Sequence, residues 1–380
     1  MEKVMTLEVP WPRTEPAALE PGPERIELRD SLRALLARHS DIEQVRTASE
    51  SELGYSPRLW RLLAEDMSVA AIAVPEDRGG LGYGTAELAT VLEECGRALV
   101  CEPVLTSAVL GAQALLAAAD RDAVADVLAE VLTGATVATV SALDPAIDRL
   151  TAEPTAHGWL LTGTVGHVLG GATADLVIAT AETPDGVRLF AFRPGPAVTR
   201  TPLTVLDPTR GQADITVHRR AALALTDPAT TPATVTRLRD LATLAIACEH
   251  TGIVERLVDT TVAYTRARHQ FGRPIASFQA IKHRLADLLV LLERARSASR
   301  YAAAVFAEDP DGARLAVAVA GAVCTDAALT AAAEAVQLHG GVGFTWEHPA
   351  HSYYRRILGN EAAHGDARTH RAGVAALLGL

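Results

Sequence analysis

The sequence is short of several residue types, and each shortage narrows what the chain can be. Only 4% of its residues are aromatic, and its four cysteines show no CxxC or metal-ligand spacing. A chain of 380 residues needs no disulfide framework to hold its fold. We therefore expect small buried side chains at Cys95, Cys101, Cys248 and Cys324.

Positive charge and long apolar runs are also scarce. Lysine and arginine number 35 against 46 acidic residues, which gives a net charge of -11 and argues against a nucleic-acid partner. Apolar runs such as ATLAIAC around Ala245 are too short to span a bilayer, so we expect no membrane insertion. The N-terminal MEKVMTLEVPWPRTEP is acidic and interrupted by proline, unlike a secretory signal. We predict a cytoplasmic protein.

The order of hydrophobic patterns divides the chain into three parts. Helical spacing dominates residues 1–133, for example from Glu24 to Arg38. Residues 134–228 contain short β-rich runs between turn residues: TVATVSAL, GWLLTGTV, ADLVIATA, VRLFAFR and ADITVHR. Long helical patterns return over 229–380. We predict an N-terminal helical domain, a middle β domain and a C-terminal helical domain, with more than one core.

Polar residues gather in the stretch RARHQFGRPIASFQAIKHRLADL, from Arg266 to Leu288. One helical face of it is apolar and predicts core packing: Phe278, Ile281, Leu285, Leu288 and Leu292. Ser277 is a candidate N-cap, so the segment from Arg268 to Arg273 is predicted to be an exposed turn between helices. Guanidinium and amide groups in such a turn suit phosphate and adenine, and a solvated charged turn is the alternative.

A second polar stretch, EAVQLHGGVGFTWEHPAHSYYRRI, runs from Glu334 to Ile357. Gln337 and His339 precede Gly340 and Gly341, where we expect a helix to end and where a ligand or another backbone can come close. Metal binding by Glu347, His348 and His351 is not predicted, because Pro349 breaks the helical register that would align the histidines.

The two stretches resemble signatures of the acyl-CoA dehydrogenase family, RxxFGRPIxxFQxIKHxLADL and QLHGGVGFTWEHPxHxYYRR. With the N-terminal VPEDRGGLG segment, the resemblance covers nearly the whole chain. It implies an acyl-CoA dehydrogenase-like fold whose C-terminal part is a four-helix bundle through which subunits pair. It also implies FAD-dependent removal of hydrogens from the α and β carbons of an acyl thioester.

The resemblance assigns a role to the polar residues. In the family, the first signature holds the adenine and pyrophosphate half of an FAD that belongs mainly to the neighbouring subunit. By position this role falls to Arg268, Gln270, Phe271 and Gln279. Gln337, Gly340 and Gly341 of the second signature would join from the opposite side of the dimer.

Two departures from the family pattern concern the flavin ring and the base. No TEPxxGSD-like loop is present, and His167 stands where the family has a strand tryptophan. The glutamate base of the family falls at His364, and its alternative location, on the first helix of the C-terminal domain, falls at Ala242. Neighbouring carboxylates that could substitute are Glu249, Glu361 and Asp366, but each is better explained as a helix-surface or capping residue.

Three functions follow from this pattern. In the first, the chain resembles the glutamate-lacking subunit of actinobacterial two-chain dehydrogenases, completing an FAD site while a second family member supplies the base, in a heterotetramer acting on steroid-side-chain or other bulky CoA esters. In the second, it is a self-sufficient homodimer with Glu361 or Asp366 as a displaced base. In the third, the fold serves a non-redox enzyme or an assembly partner, with His364 or His167 as acid or base.

Overall fold

The computed structural model describes residues 21–144, 146–345 and 348–380. Helices form the first part of the chain, with π-helical turns at Leu62–Asp66 and Val104–Gly111. The α-helices are α1 Pro23–His39, α2 Ile42–Glu50, α3 Pro57–Arg61, α4 Thr85–Arg97, α5 Ala112–Leu116 and α6 Ala125–Leu132. Asp41 caps α2 by accepting from the Gln44 amide, and Ser56 caps α3 by accepting from the Leu59 amide.

The middle part is a seven-stranded sheet with its own apolar core. Its strands are β1 Ala138–Val140, β2 Asp148–Thr155, β3 Gly158–Leu169, β4 Leu176–Thr183, β5 Gly186–Phe192, β6 Val198–Pro202 and β7 Gln212–Ala224. The pairing order is β1-β4-β2-β3-β7-β5, with β6 on β7. Because β5 also pairs with β4, the sheet curls back on itself around its core. The predicted β domain is present, although the sequence patterns missed β2 and β6.

Long helices form the C-terminal part. They are α7 Thr231–Ala267, α8 Gln279–Glu308, α9 Arg314–His339, α10 Ala350–His364 and α11 Ala367–Leu378, with a hairpin of β8 His269–Gln270 and β9 Arg273–Pro274 after α7. Gly365, at a φ of +95°, separates α10 from α11. The exact limits 1–133, 134–228 and 229–380 of the three parts stay a prediction.

The apolar face of α8 packs as its spacing predicts. Leu288 and Leu292 are buried, while Phe278, Ile281 and Leu285 are half-buried. The predicted cap at Ser277 is wrong, because Ile275–Ser277 forms a 3-10 turn and Phe278 becomes the N-cap residue. The Ser277 hydroxyl is buried with no hydrogen-bond partner among the described residues. Cys95, Cys248 and Cys324 are buried and Cys101 is half-buried, all as free thiols.

One described helical stretch, Arg314–Phe344, is long and apolar enough to cross a membrane, with a mean hydropathy of 1.8. Of its most apolar window, 67% is buried inside the fold. The central helix of a bundle has the same length and composition, so the burial explains its apolar character.

Helices α4 and α7 pack so closely that two glycines are required. A Cβ on Gly252 would lie 1.7 Å from the Glu93 carbonyl oxygen, and one on Gly96 would lie 2.1 Å from the Glu249 carbonyl oxygen. These atoms belong to backbone and cannot rotate away. The contact joins the N-terminal helices firmly to the first helix of the bundle.

We expect Gly252→Ala to lower the free energy of unfolding by about 3 kcal/mol, because the two backbones must separate to admit the methyl group. The matched control is Gly373→Ala in α11, where a Cβ meets nothing within 4 Å. That change should stabilise by about 0.5–1 kcal/mol through its helix propensity. Chemical denaturation of both variants measures the difference, and similar effects would contradict the tight contact.

Candidate active site and cofactor-binding surface

The turn predicted between α7 and α8 is a tight hairpin. Gln270 pairs with Arg273 across it, and Phe271 and Gly272 occupy the turn with φ angles of +53° and +78°. Two successive positive φ angles fit the twist of a two-residue hairpin. The turn presents Phe271 to solvent with 91% of its surface exposed.

Aromatic contacts hold this hairpin in place. The rings of Phe271 and Phe278 meet edge to face with centroids 6.0 Å apart. The Arg273 guanidinium carbon lies 4.0 Å from the centroid of the Phe278 ring, a cation–π geometry. An exposed aromatic residue on a fixed turn is therefore presented next to the first residue of α8, Gln279.

The second signature lies at the same end of the bundle. Helix α9 ends at His339, and the Tyr264 hydroxyl of α7 donates to the His339 carbonyl oxygen at 3.3 Å. Gly340 follows with a φ of +64°. A Cβ on Gly340 or Gly341 would meet nothing within 4 Å, so open space adjoins both glycines. The helix end predicted here is confirmed, and the turn leaves room for a group from outside.

These residues fit the adenine and phosphate half of a dinucleotide. Four exposed side chains form no hydrogen bond or ion pair with any described residue, and they are Arg268, Gln270, Gln279 and Gln337. Their amides and guanidinium group can donate to phosphate oxygens and pair with adenine edges. The exposed Phe271 ring offers a stacking face, and the start of the 30-residue helix α8 favours an anion.

His364 closes α10 at the position of the family's glutamate. Its ring is half-buried, and its Nε2 atom is buried with no hydrogen-bond partner among the described residues. Burial, reinforced by the charge of Arg210, lowers the pKa of His364 to about 4. The imidazole is thus neutral near pH 7.

The other positions proposed for a base differ in whether they hold a carboxylate that is free to accept a proton. Ala242 is buried in α7. Asp366 is the N-cap of α11, where its carboxylate accepts from the Thr369 amide and hydroxyl, both at 2.7 Å, and the hydroxyl contact chiefly lowers its pKa. Glu361 is half-buried, and burial raises its pKa. Of these residues, Glu361 alone keeps a carboxylate without such a capping contact.

Glu249 is locked inside a buried ion network. Its Oε1 atom accepts from Arg356 Nη1 at 3.0 Å and from Asn360 Nδ2 at 3.2 Å, and Arg210 binds its Oε2 atom. Burial alone would raise the pKa of Glu249, but the two arginines and their hydrogen bonds outweigh it and lower the pKa to about 2. So weak a base, with both oxygens occupied, is unsuited to take a proton from carbon.

Arg356 is the centre of that network and is fully buried. It also donates to Asp207 at 2.8 Å, to Thr209 Oγ1 at 2.6 Å and to the Val100 carbonyl oxygen at 3.1 Å. Sequence reasoning did not find this residue. The signal was present, because Arg356 shares one face of α10 with Tyr353, Ile357 and Asn360, all of them buried.

A cavity of about 330 Å³ separates the middle sheet from α10 and adjoins this network. His167 lies on its wall in the irregular part of β3, with a φ of +55°, and its amide donates to Asp214 Oδ1 at 3.0 Å. Other lining residues are Leu206, Asp207, Arg210, Asn360 and Ala363. Of the positions that depart from the family pattern, His167 therefore lines this cavity together with Asp207, Arg210 and Asn360 of the ion network.

Aromatic rings gather where α9 ends. The ring centroids of His339 and His348 lie 4.0 Å apart, and those of His339 and Tyr264 lie 4.4 Å apart, both pairs in a tilted arrangement. No group of three or more potential metal ligands occurs among the described residues. Glu347 lies outside the described residues, and the lack of a metal stays a prediction.

Comparison with known proteins covers both helical parts of the chain. Residues 22–135 match the model of the acyl-CoA dehydrogenase N-terminal domain, and residues 236–378 match that of the C-terminal domain. The chain belongs to the acyl-CoA dehydrogenase family. As a member of it, the chain is of the FAD-dependent oxidoreductase type that acts on CH–CH groups.

Individual relatives of this acyl-CoA dehydrogenase family chain agree with its fold. It is 38% identical to acyl-CoA dehydrogenase IpdE2 of Mycobacterium tuberculosis, over 92% of this chain and 94% of the relative. Among solved structures, the ChsE4-ChsE5 complex from the same organism matches with a TM-score of 0.86 and 29% identity, over 95% of this chain and 98% of that one. Butyryl-CoA dehydrogenase from Megasphaera elsdenii, at 20% identity over 93% and 98% of the two chains and a TM-score of 0.83, supports the fold alone.

Proposed function

We propose that this chain takes part in FAD-dependent α,β-dehydrogenation of an acyl thioester as the subunit that completes the FAD site, while a second family member supplies the base. The observation that carries the proposal is the state of its own base positions. His364 stands in place of the family's carboxylate, Ala242 has no acid, and Arg210 and Arg356 bind both oxygens of Glu249. The proposal includes a cytoplasmic location and an acyl-CoA or carrier-bound acyl substrate.

The surface at the end of the bundle supports the cofactor half of the proposal. When bound, FAD accepts the hydride from the β carbon of the acyl group. Arg268, Gln270 and Gln279 would bind its phosphates and adenine, and Phe271 would stack on it. Since no described residue of this chain covers these side chains, they fit an FAD that a neighbouring subunit holds.

An apolar groove supports assembly with a second chain. It runs between α8 and α9 with a volume of about 640 Å³, and Leu289 and Val290 on its edge are 52% and 58% exposed. Its apolar lining also includes Ala298, Tyr301, Val319 and Val323. Exposed apolar surface of this size is typical of a subunit contact. A second acyl-CoA dehydrogenase-like subunit is the occupant that we propose, as in the two-chain ChsE4-ChsE5 structure.

Co-expression with a family member that retains the glutamate and the TEPxxGSD-like loop tests the proposal. We expect the complex to oxidise acyl-CoA and this chain alone to show no oxidation. Replacing the partner's glutamate by glutamine should lower the rate by about 10²–10⁴-fold, the usual contribution of a general base. His364→Gln and Glu361→Gln in this chain should leave the rate nearly unchanged. Flavin bleaching and product formation are the measurements.

Two outcomes would contradict the proposal that this chain completes the FAD site while a partner supplies the base. If the chain alone binds one FAD per subunit and oxidises acyl-CoA as fast as the complex, it is self-sufficient, and loss of activity in Glu361→Gln would then identify its base. If every complex is colourless, the fold serves non-redox work.

A further inference from the structure

A second cavity lies between the N-terminal helices and the middle sheet, and none of its described lining residues belongs to α10. Its volume is about 210 Å³. The loop after α2, the start of the π-helical segment and the β3–β4 connection form its walls, represented by Tyr55, Glu102, Thr106, Thr139 and Thr173. None of these residues belongs to the cofactor-binding surface or to the base positions.

Glu102 is the unusual member of this wall. The residue is only 5% exposed, and its Oε1 atom accepts from the Ser56 amide at 3.1 Å. It forms no salt bridge with any described residue. The backbone amides of Ser56, Cys101 and Glu102 itself favour its ionised form, but they offset only part of the cost of burying a carboxylate that has no ion pair.

The arginines around the cavity are each offset by acidic groups, so the wall lacks free positive charge. Arg200 donates to the carbonyl oxygens of the lining residues Ala172 and Ala174, both at 2.8 Å, and the charge of Asp175 acts on its guanidinium group. Arg210 lines the cavity, but Glu249 pairs with that guanidinium group. Arg356 acts on Glu102 from behind the wall, yet Asp207 and Glu249 offset its charge. An exposed carboxylate, Glu52, stands on the lining as well.

Tyr55 provides a second polar group on the lining. Its side chain is half-buried, and its hydroxyl makes no hydrogen bond with a described residue. Burial, then the charges of Asp175 and Glu102, raise its pKa, so the phenol stays protonated and able to donate or accept. Glu102 and Tyr55 thus line the same small cavity.

We infer that this cavity binds a compact organic cation, such as a primary ammonium group carrying a hydroxyl, with Glu102 as its counter-ion and Tyr55 as its hydrogen-bond partner. The ammonium group would supply the positive charge that the wall lacks. The small volume excludes bulky ligands. The site is independent of acyl-CoA oxidation and of the partner subunit's base.

The raised pKa of Glu102 agrees with this site. Burial raises the pKa of the Glu102 carboxyl to about 7, so both protonation states are populated at neutral pH. The ionised form is therefore available to a cation without a large change in pH.

Titration calorimetry of the purified full-length chain, in the complex with which it co-purifies, tests the site with ethanolammonium chloride as the probe. We expect saturable binding of one ethanolammonium per chain and no heat of binding from ethylene glycol, its neutral analogue. Glu102→Gln should weaken the affinity by about 10-fold or more, because the counter-charge is lost. Tyr55→Phe should weaken it less.

Glu52→Gln is the matched control, since Glu52 lines the same cavity but is exposed to solvent. Its removal should change the affinity by less than about 2-fold, as expected for a screened charge. Thermal unfolding of Glu102→Gln should show no loss of stability, because the change removes an unmatched buried charge. Absence of saturable ethanolammonium binding to the natural chain, or equal binding by Glu102→Gln, would overturn the inference.

Discussion

Replacing Arg356 by leucine is expected to lower the free energy of unfolding by about 3–5 kcal/mol, the usual effect of removing one partner of a buried ion pair. The change leaves Asp207 and Glu249 buried, at 3% and 1% exposure, with much of their counter-charge gone. It also leaves the Val100 carbonyl oxygen without the Arg356 donor. Urea unfolding at neutral pH measures the difference.

The control for this experiment is Arg284→Leu. Arg284 pairs with Glu334 at 3.0 Å, but its side chain is 43% exposed. An exposed pair contributes about 0–1 kcal/mol, because water screens both charges. The burial argument would be wrong if the two leucine variants lost similar amounts of stability. A lysine at position 356 should recover part of the loss, since it restores the charge without the planar fork of donors.

Arg268→Ala is expected to lower the FAD content of the purified complex and to weaken FAD binding by about 10–100-fold, the equivalent of one or two charge-assisted hydrogen bonds. The expectation depends on the proposed FAD site. The Arg268 side chain is exposed and forms no hydrogen bond or ion pair with any described residue, and its backbone bonds to Tyr264 and Ile275 remain in the alanine variant, so the change should not unfold the chain. The ratio of flavin to protein absorbance and the release of flavin on dilution are the measurements.

Arg266→Ala distinguishes this role from a general effect of surface charge. Arg266 lies in the last turn of α7, two residues before Arg268, and is also exposed. It precedes the hairpin that carries Gln270 and Phe271. Equal loss of FAD from both variants would mean that the basic surface as a whole, rather than the turn, attracts the cofactor. Unchanged FAD content in Arg268→Ala would remove that residue from the site.

Local patterns predicted the long helices and the exposed turn, because spacing and turn residues act over a few positions. Strand β2 escaped prediction since it contains Pro154 and polar residues on its exposed side. Strand β6 is mostly polar and exposed and pairs only with β7, so it has no alternating pattern to detect. Tertiary pairing, rather than local propensity, forms both strands.

The residues of the candidate site also fall into those that local sequence predicts and those that only tertiary structure brings together. The exposed residues of the two signatures could be located from sequence, because the motifs are contiguous. The buried network could not, since Asp207, Glu249 and Arg356 come from three separate segments of the chain. Only the fold brings them within hydrogen-bond distance, and only then does Glu249 change from a candidate base to a structural carboxylate.

Arg356 reaches all three parts of the molecule at once. It binds the Val100 carbonyl oxygen in the N-terminal part, Asp207 and Thr209 in the middle part, and Glu249 in the bundle. If any one part detached, the buried charge of Arg356 would lose some of the hydrogen-bond acceptors that surround it. The three parts are therefore coupled in unfolding, and at this junction the chain behaves as one cooperative unit rather than as three independently unfolding domains.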